Sequence, residues 1–297
     1  MTYRIEGIEL EELPELWEPE ALAIIKPWID VNNVASGVLS HLEGLLGGRE
    51  LGRLIRPGEF FDFTRYRPRI YFEEGVRKVQ IPNIKISFAR RNEGEWPDLL
   101  FLHLLEPHMA GEAFVDAILA VLKELKVKRY LLLGSMFDAV PHTRPLLVSG
   151  GAIGAEAEQL LKGAGVEPSD YEGPTTIAFL INQLAPEMGI ESLWAIVSLP
   201  MYLQLEEDHL GVLRLVEVLA SIYGLPIPEE LVARAEEQRR NLDRALEVKP
   251  ELEEVVAKLE EFYDERVRGE GPRSQRLSPE FEQFLREISR DLGREGE

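Results

Sequence analysis

The stretch RYLLLGSMFDAVPHTRP, residues 129–145, decides the fold. Tyr130–Leu133 is an unbroken apolar run, the pattern of a strand buried on both faces, and it is expected to stop at Gly134-Ser135. A polar loop follows, with His142, Thr143 and Arg144 held between Pro141 and Pro145. Upstream, Met109–Leu125 carries Phe114, Ile118, Val121, Leu122 and Leu125 at helical spacing, and Asp98–Leu105 is a second apolar strand. Strand, helix, strand in that order implies a right-handed parallel crossover. Ligands of open α/β sheets gather beyond the carboxyl ends of the strands, so the loop after Leu133 is the first place to look for a site.

The same reading extends outward. Ala21–Ile25 is a first buried strand, followed by a polar loop, Ile29–Asn33, and a helix over Val34–Leu46. Asp30 or Asn32 would supply its N-cap oxygen and Gly47-Gly48 its stop. Residues 1–20, acidic and interrupted by Pro14 and Pro19, read as an irregular lead-in. Leu51–Arg56 is a candidate second strand, and 59–90 is hairpin-like, antiparallel and near a sheet edge. Leu146–Val148 is a short strand, Gly150–Gly154 a turn and Ala155–Gly163 a helix. Gly173-Pro174 opens a helix that runs to Met188, with proline at its first position. Leu193–Leu199 is a strand and Asp208–Tyr223 a helix.

After Pro228 the composition shifts to Glu, Arg, Leu and Ala. Lys249-Pro250 divides 229–268 into two helices, and a last helix starts at Ser278. The expected organisation is an α/β core over residues 1–228 and a helical extension over 229–297.

The chain has 297 residues, 53 acidic against 33 basic, for a net charge of −20. Nucleic acid and anionic membranes are therefore poor partners, and the acidity serves solubility or a basic protein partner. There is no cysteine, so disulfides, thiolate metal sites and cysteine nucleophiles are excluded. The first twenty residues contain no apolar signal core, and no run approaches the ~18 apolar residues of a membrane helix. The cytoplasm is the expected location.

The five histidines show no metal-ligand spacing. Pro107 breaks the one dense group, HLLEPH at 103–108, so no metal or cofactor is expected. Gly150–Gly154 lacks both the P-loop and the dinucleotide pattern, and no G-x-S-x-G elbow occurs. What remains is a candidate polar rim: Asp30, Asn32 and Asn33 after the first strand, Ser135, then His142, Thr143 and Arg144, and Glu172 with Thr175 at a helix start. The His-Thr-Arg trio is either a general base, a donor and an anion clamp, or a loop network in which Arg144 pairs with Asp138 or Glu172. The 171–176 segment is either an anion site or simple capping.

Six ordered segments carry a family resemblance. They are Trp28–Asn33 with Val34-Ala35-Ser36-Gly37; Phe61-Asp62-Phe63 with Arg67-Pro68; Asp98-Leu99-Leu100 leading to Glu106-Pro107; Gly134-Ser135 with Val140–Pro145; Tyr171–Thr175; and Ser192–Ala195 before Pro200-Met201-Tyr202. With them the chain resembles the proteasome assembly chaperone family of the second type, in its bacterial and archaeal branch. The resemblance implies a three-layer α/β/α sandwich with a mostly parallel central sheet, similar to phosphorylase/hydrolase-like proteins, plus a C-terminal helical extension. It also implies homo-oligomers, commonly trimers. The eukaryotic namesake helps build the proteasome α-ring without catalysis. Archaeal relatives dock through a C-terminal hydrophobic-tyrosine tail, and this chain ends Asp291–Glu297 without it. The expectation is a non-catalytic oligomeric scaffold or assembly factor of undefined partner. The alternative is a hydrolase- or phosphorylase-like enzyme using the polar rim.

Overall fold

A computed structural model describes residues 2–91, 94–203, 205–248 and 250–269. In chain order its strands are β1 (Tyr3–Ile5), β2 (Ile8–Leu10), β3 (Glu20–Lys26), β4 (Arg49–Leu54), β5 (Arg69–Glu73), β6 (Val76–Gln80), β7 (Lys85–Ala89), β8 (Leu99–Leu105), β9 (Arg129–Asp138), β10 (Val148–Ile153), β11 (Glu167–Pro168) and β12 (Glu191–Pro200). The helices are α1 (Val34–Leu46), α2 (Gly111–Glu124), α3 (Ala155–Gly163), α4 (Ala178–Leu184), α5 (His209–Tyr223), α6 (Glu229–Val248) and α7 (Pro250–Arg268). Ten strands make one sheet, ordered β1-β2-β4-β7-β8-β3-β9-β12-β10-β11, and β5-β6 stand apart as a two-stranded arm.

Side chains alternate across the sheet and so divide the core into two layers. From β3, Ala21, Ala23 and Ile25 join Leu100, Leu102 and Leu104 of β8 under α2 and α4, which add Phe114, Ile118 and Ile181. Leu22 and Ile24 point the other way, joining Phe101 and Leu133 under α1, α3 and α5. Helices thus cover both faces.

The sheet is mixed, which corrects the expectation of a mostly parallel one. The centre, β8-β3-β9-β12, is parallel, as is the short edge pair β10-β11, and the other pairings are antiparallel. The connections explain this. β1-β2 is a hairpin, and among the described residues no α-helical crossover intervenes between β4, β7 and β8, so these strands return antiparallel. Within the supposed lead-in, residues 3–10 form the edge hairpin β1-β2 and Glu20 already opens β3. The segment 59–90 divides: its tip is the separate arm, while β7 sits inside the main sheet between β4 and β8.

Three further expectations fail for local reasons. β9 does not stop at Gly134-Ser135 but continues to Asp138. A Cβ on Gly134 would lie 2.9 Å from the Ile29 carbonyl oxygen, so the glycine admits a neighbouring loop rather than ending the strand. Gly150 and Gly151 lie in β10, not in a turn. A Cβ on Gly150 would sit 2.0 Å from the Trp194 carbonyl oxygen, and one on Gly151 would enter the Trp194 ring. The helix expected from Pro174 begins only at Ala178, then tightens to a 3-10 turn through Met188. By contrast, α1 and α3 keep the bounds their sequence implies, and α5 is capped by Asp208, whose Oδ1 accepts from Gly211 N at 3.0 Å. The helix expected from Ser278 lies outside the described residues.

Beyond the sheet, α7 buries Val255, Val256 and Leu259 against Tyr202 and Leu203. Its Tyr263 packs on Val140 and Leu147. The loops after β9 and β12 therefore form a socket for α7.

Candidate functional site

The carboxyl ends of the four parallel strands form a rim, and its two halves differ. Over β9 and β12 it is closed by α6 and α7. His142 is buried there. Its Nδ1 lies 2.6 Å from the Tyr202 hydroxyl, and its own backbone N–H donates to the same oxygen at 2.9 Å. Its Nε2 is 3.6 Å from Asp243 of α6. The Thr143 hydroxyl donates to Glu260 of α7. Arg144 forks onto Asp264 with two bonds of 3.2 Å and reaches Glu260 at 3.0 Å. The loop network is thus what forms, although its partners are neither Asp138 nor Glu172. Asp138 instead accepts from Ser198 and from Arg266 of α7, at 2.9 and 3.0 Å.

Burial lowers the pKa of His142, and the Asp243 charge only partly opposes it. A histidine held below its unfolded value contributes stability that is complete above about pH 6.5 and is lost as pH falls through the lower folded-state value. The melting temperature of the protein should therefore fall more steeply than that of His142→Gln between about pH 7.5 and 5.5. Parallel pH profiles would contradict this account.

At the middle of the rim, the loop after β3 is pinned to β9. Ser135 N donates to Ile29 O and its hydroxyl to Val31 O, both at 2.8 Å. Ile29, Asn32 and Asn33 all have left-handed backbones, routine for asparagine and strained for a β-branched residue. Asp30 does supply a capping oxygen, to Ser36 N at 3.0 Å, although Asn33 occupies the N-cap position. Lys26 Nζ bonds Asn33 Oδ1 at 3.0 Å and lies 3.6 Å from Asp30 Oδ2. Asp30, Asn33 and Ser135 therefore meet in one junction, and Asn32 belongs to the same loop. Glu172 and Thr175 do not join it: they stand exposed on the loop before α4. The nine candidate residues divide among three places.

The open half of the rim lies over β3 and β8 and holds two clefts. The first, about 660 Å³, is lined by Lys26, Asn33, His41, Lys85, His103 and His209. At its wall, burial raises the pKa of Glu43, but bonds from His103, Ser87 and Lys85 outweigh this and bring it to about 2. His103 and His108, close in sequence, are separated here: His108 faces the other cleft, where its Nδ1 accepts from Asp62 N at 3.2 Å.

The second cleft, about 910 Å³, is aromatic, lined by Trp28, Phe61, Phe63, Tyr66, His108 and Met109. Tyr66 stacks edge-on against His108, and its hydroxyl donates to the Glu106 carbonyl at 3.1 Å. Asp62 folds the floor by accepting from the backbone N–H and the hydroxyl of Thr64. Glu106 Oε1 accepts from Ile177 N at 2.9 Å, while its Oε2 is buried and unmet. Burial raises the pKa of this carboxyl, with the Ile177 bond opposing. Sequence reasoning missed this cleft as a site. Its signal was the aromatic run Phe60–Tyr66, read for strand propensity, together with Glu106-Pro107-His108, read for metal-ligand spacing, and neither reading asks whether the two converge. Among the described residues, no helix is long and apolar enough to cross a membrane, and no group of three or more His, Cys, Asp or Glu could hold a metal ion.

A mixed ten-stranded sheet covered on both faces, with a helical pair clasping one end of its rim, defines an α/β protein whose most open features are clefts and loops. The PAC2 family model matches residues 24–246, so the chain belongs to the PAC2 family. A PAC2 family protein from Streptomyces avermitilis is 27% identical, covering 81% of this chain and 99% of its own with a TM-score of 0.72. A Mycobacterium tuberculosis proteasome-assembly chaperone homologue is also 27% identical, covering 80% of this chain and 99% of its own at a TM-score of 0.70. An archaeal proteasome activator from Pyrococcus furiosus, 16% identical, covers 80% of this chain and 97% of its own at 0.61 and shares the fold. No curated protein matches the chain.

Proposed function

We propose that this protein is a non-catalytic, homo-oligomeric assembly factor, trimeric and cytoplasmic, that acts through protein surfaces. One observation carries the reading. His142, Thr143 and Arg144, the side chains best suited to chemistry, direct their polar groups at Tyr202, Asp243, Glu260 and Asp264 within the fold. A buried imidazole and a guanidinium already paired with two carboxylates are poorly placed to serve a substrate as general base and anion clamp. In this reading residues 1–228 are the working core and 229–297 an extension, whose helices α6 and α7 close half of the rim. Kinship with the mycobacterial chaperone homologue makes proteasome subunits the first partner to test.

Sedimentation at micromolar concentration, with and without proteasome α subunits, is the direct experiment. An oligomer that co-sediments with incompletely assembled α rings is expected. A monomer that leaves their assembly unchanged would overturn the reading. A hydrolase- or phosphorylase-like activity draws its one support from the cleft of His41, His103, His209 and Lys85. Turnover of a metabolite, abolished by Lys85→Ala, would replace the scaffold reading with that one.

A further inference from the structure

The arm formed by β5 and β6 is the part of this fold whose apolar residues have least to cover them. Every residue of both strands is exposed. Register places Ile70 opposite Val79 and Phe72 opposite Arg77, so these four share one face of the ribbon, and Ile81 extends it by alternation. Ile70 is 64% exposed and Phe72 65%. The Arg77 guanidinium lies over the Phe72 ring at 5.5 Å. An isolated two-stranded hairpin is marginal in water, and a row of large apolar side chains on one of its faces needs a surface to cover it.

The arm's charge points to the nature of that surface. Residues 67–80 carry Arg67, Arg69, Arg77 and Lys78 against Glu73 and Glu74, a basic excess within a chain of net charge −20. A second copy of the chain offers the complementary sign. It also offers a receptor, the aromatic cleft of Trp28, Phe63, Tyr66 and Met109. Trp28 is 54% exposed there, and the side chain of Asp62, which also lines the cleft, is 39% exposed. That carboxylate would accept from a guanidinium brought by a basic visitor. The arm starts from the rim of its own cleft, since Thr64, Arg65 and Tyr66 line the cleft and β5 begins at Arg69. Donor and receptor are thus neighbouring but different surfaces of one chain, the requirement for a head-to-tail contact that closes into a ring.

We propose that the β5-β6 arm docks, with Ile70, Phe72 and Val79 inward, into the aromatic cleft of a second copy, and that this contact repeats around a closed ring. The proposal rests on the oligomeric reading above and deepens it by assigning the interface.

Two surface variants of the full chain test it. Phe72→Asp with Val79→Asp spoils the arm, and Trp28→Glu with Met109→Glu spoils the cleft. None of these four side chains belongs to the buried core, and melting curves check that both variants fold. By analytical ultracentrifugation each variant alone should lose the parent assembly and sediment as a monomer. An equimolar mixture should regain one intact contact and sediment as a dimer, because each chain keeps the surface the other lacks. Parent-sized assemblies from either variant alone overturn the proposal and leave the oligomeric reading standing. An arm variant that fails with a cleft variant that assembles normally means arm-to-arm pairing and also overturns it. Two monomers that do not combine overturn it as well. If the parent protein is itself monomeric, the oligomeric reading falls with it.

Discussion

Arg129→Ala should lower the unfolding free energy by about 3–5 kcal/mol, the range expected when one partner of a buried ion pair is removed. Arg129 opens β9 at the amino ends of the parallel strands, opposite the rim. Its Nη1 meets Glu20 Oε1 at 2.6 Å and its Nε meets Glu191 Oε2 at 3.0 Å, joining the first residues of β3, β9 and β12. The pair is enclosed: the Arg129 side chain is 14% exposed and that of Glu20 8%. The Tyr223 hydroxyl of α5 donates to the other Glu20 oxygen at 2.9 Å. The third contact of Arg129, to the exposed Glu156, adds little. Burial raises the Glu20 pKa even with the arginine beside it, and without that charge the carboxyl is raised further. A raised carboxyl pKa favours the protonated form in the folded state. The penalty in Arg129→Ala should therefore be largest at neutral pH and shrink as pH falls toward the ordinary carboxylate range. Urea titrations at two pH values measure both effects. A loss below about 1 kcal/mol, or one independent of pH, would mean that water reaches Glu20 and that the pair is an ordinary surface bridge.

Much of the fold could be read from the residues. α1, α3 and α5 follow from apolar spacing and from stops at glycine, signals local to each helix. The strands β3, β8, β9 and β12 announce themselves as apolar runs because both of their faces are covered. The failures share one cause: the deciding partner is distant in sequence. Gly134 and Gly150-Gly151 read as breaks because glycine usually punctuates. Here they are glycine because the Ile29 carbonyl and Trp194 come close from other elements. Residues 1–20 are polar enough to pass for a lead-in, since an edge hairpin needs only Ile8 and Leu10 in the core. The candidate site was legible as a place and illegible as an arrangement. Strand ends point to Asp30, Ser135 and His142 as a place to look, but nothing local to 140–145 could reveal that acidic residues more than a hundred positions on, Glu260 and Asp264, would claim Arg144. The aromatic cleft was hidden for the same reason, assembled from segments near residues 28, 63 and 108.

Leu259→Ala should cost about 2–5 kcal/mol, the range for emptying a well-packed leucine site, and the loss should concentrate in the clasp. Leu259 is 0% exposed and lies at the centre of the cluster that holds α7 on Tyr202, with Val255, Val256 and Leu203 around it. Around that apolar centre runs a ring of ionic contacts, Arg144 to Glu260 and Asp264, and Arg266 to Asp138. Such partly exposed pairs orient a surface more than they hold it, so the apolar centre is the main source of affinity between α7 and its socket. With Leu259 shortened, amide exchange over 250–268 should accelerate. Exchange over β3 and β8, whose strands bury in the two main layers, should stay slow. The same variant should free the Arg144 fork and expose His142, flattening the pH dependence ascribed to that histidine. Uniform acceleration across the sheet would show instead that α7 and the core unfold as one unit. In that case the boundary proposed at residue 228 marks a change of composition and not a change of cooperative structure.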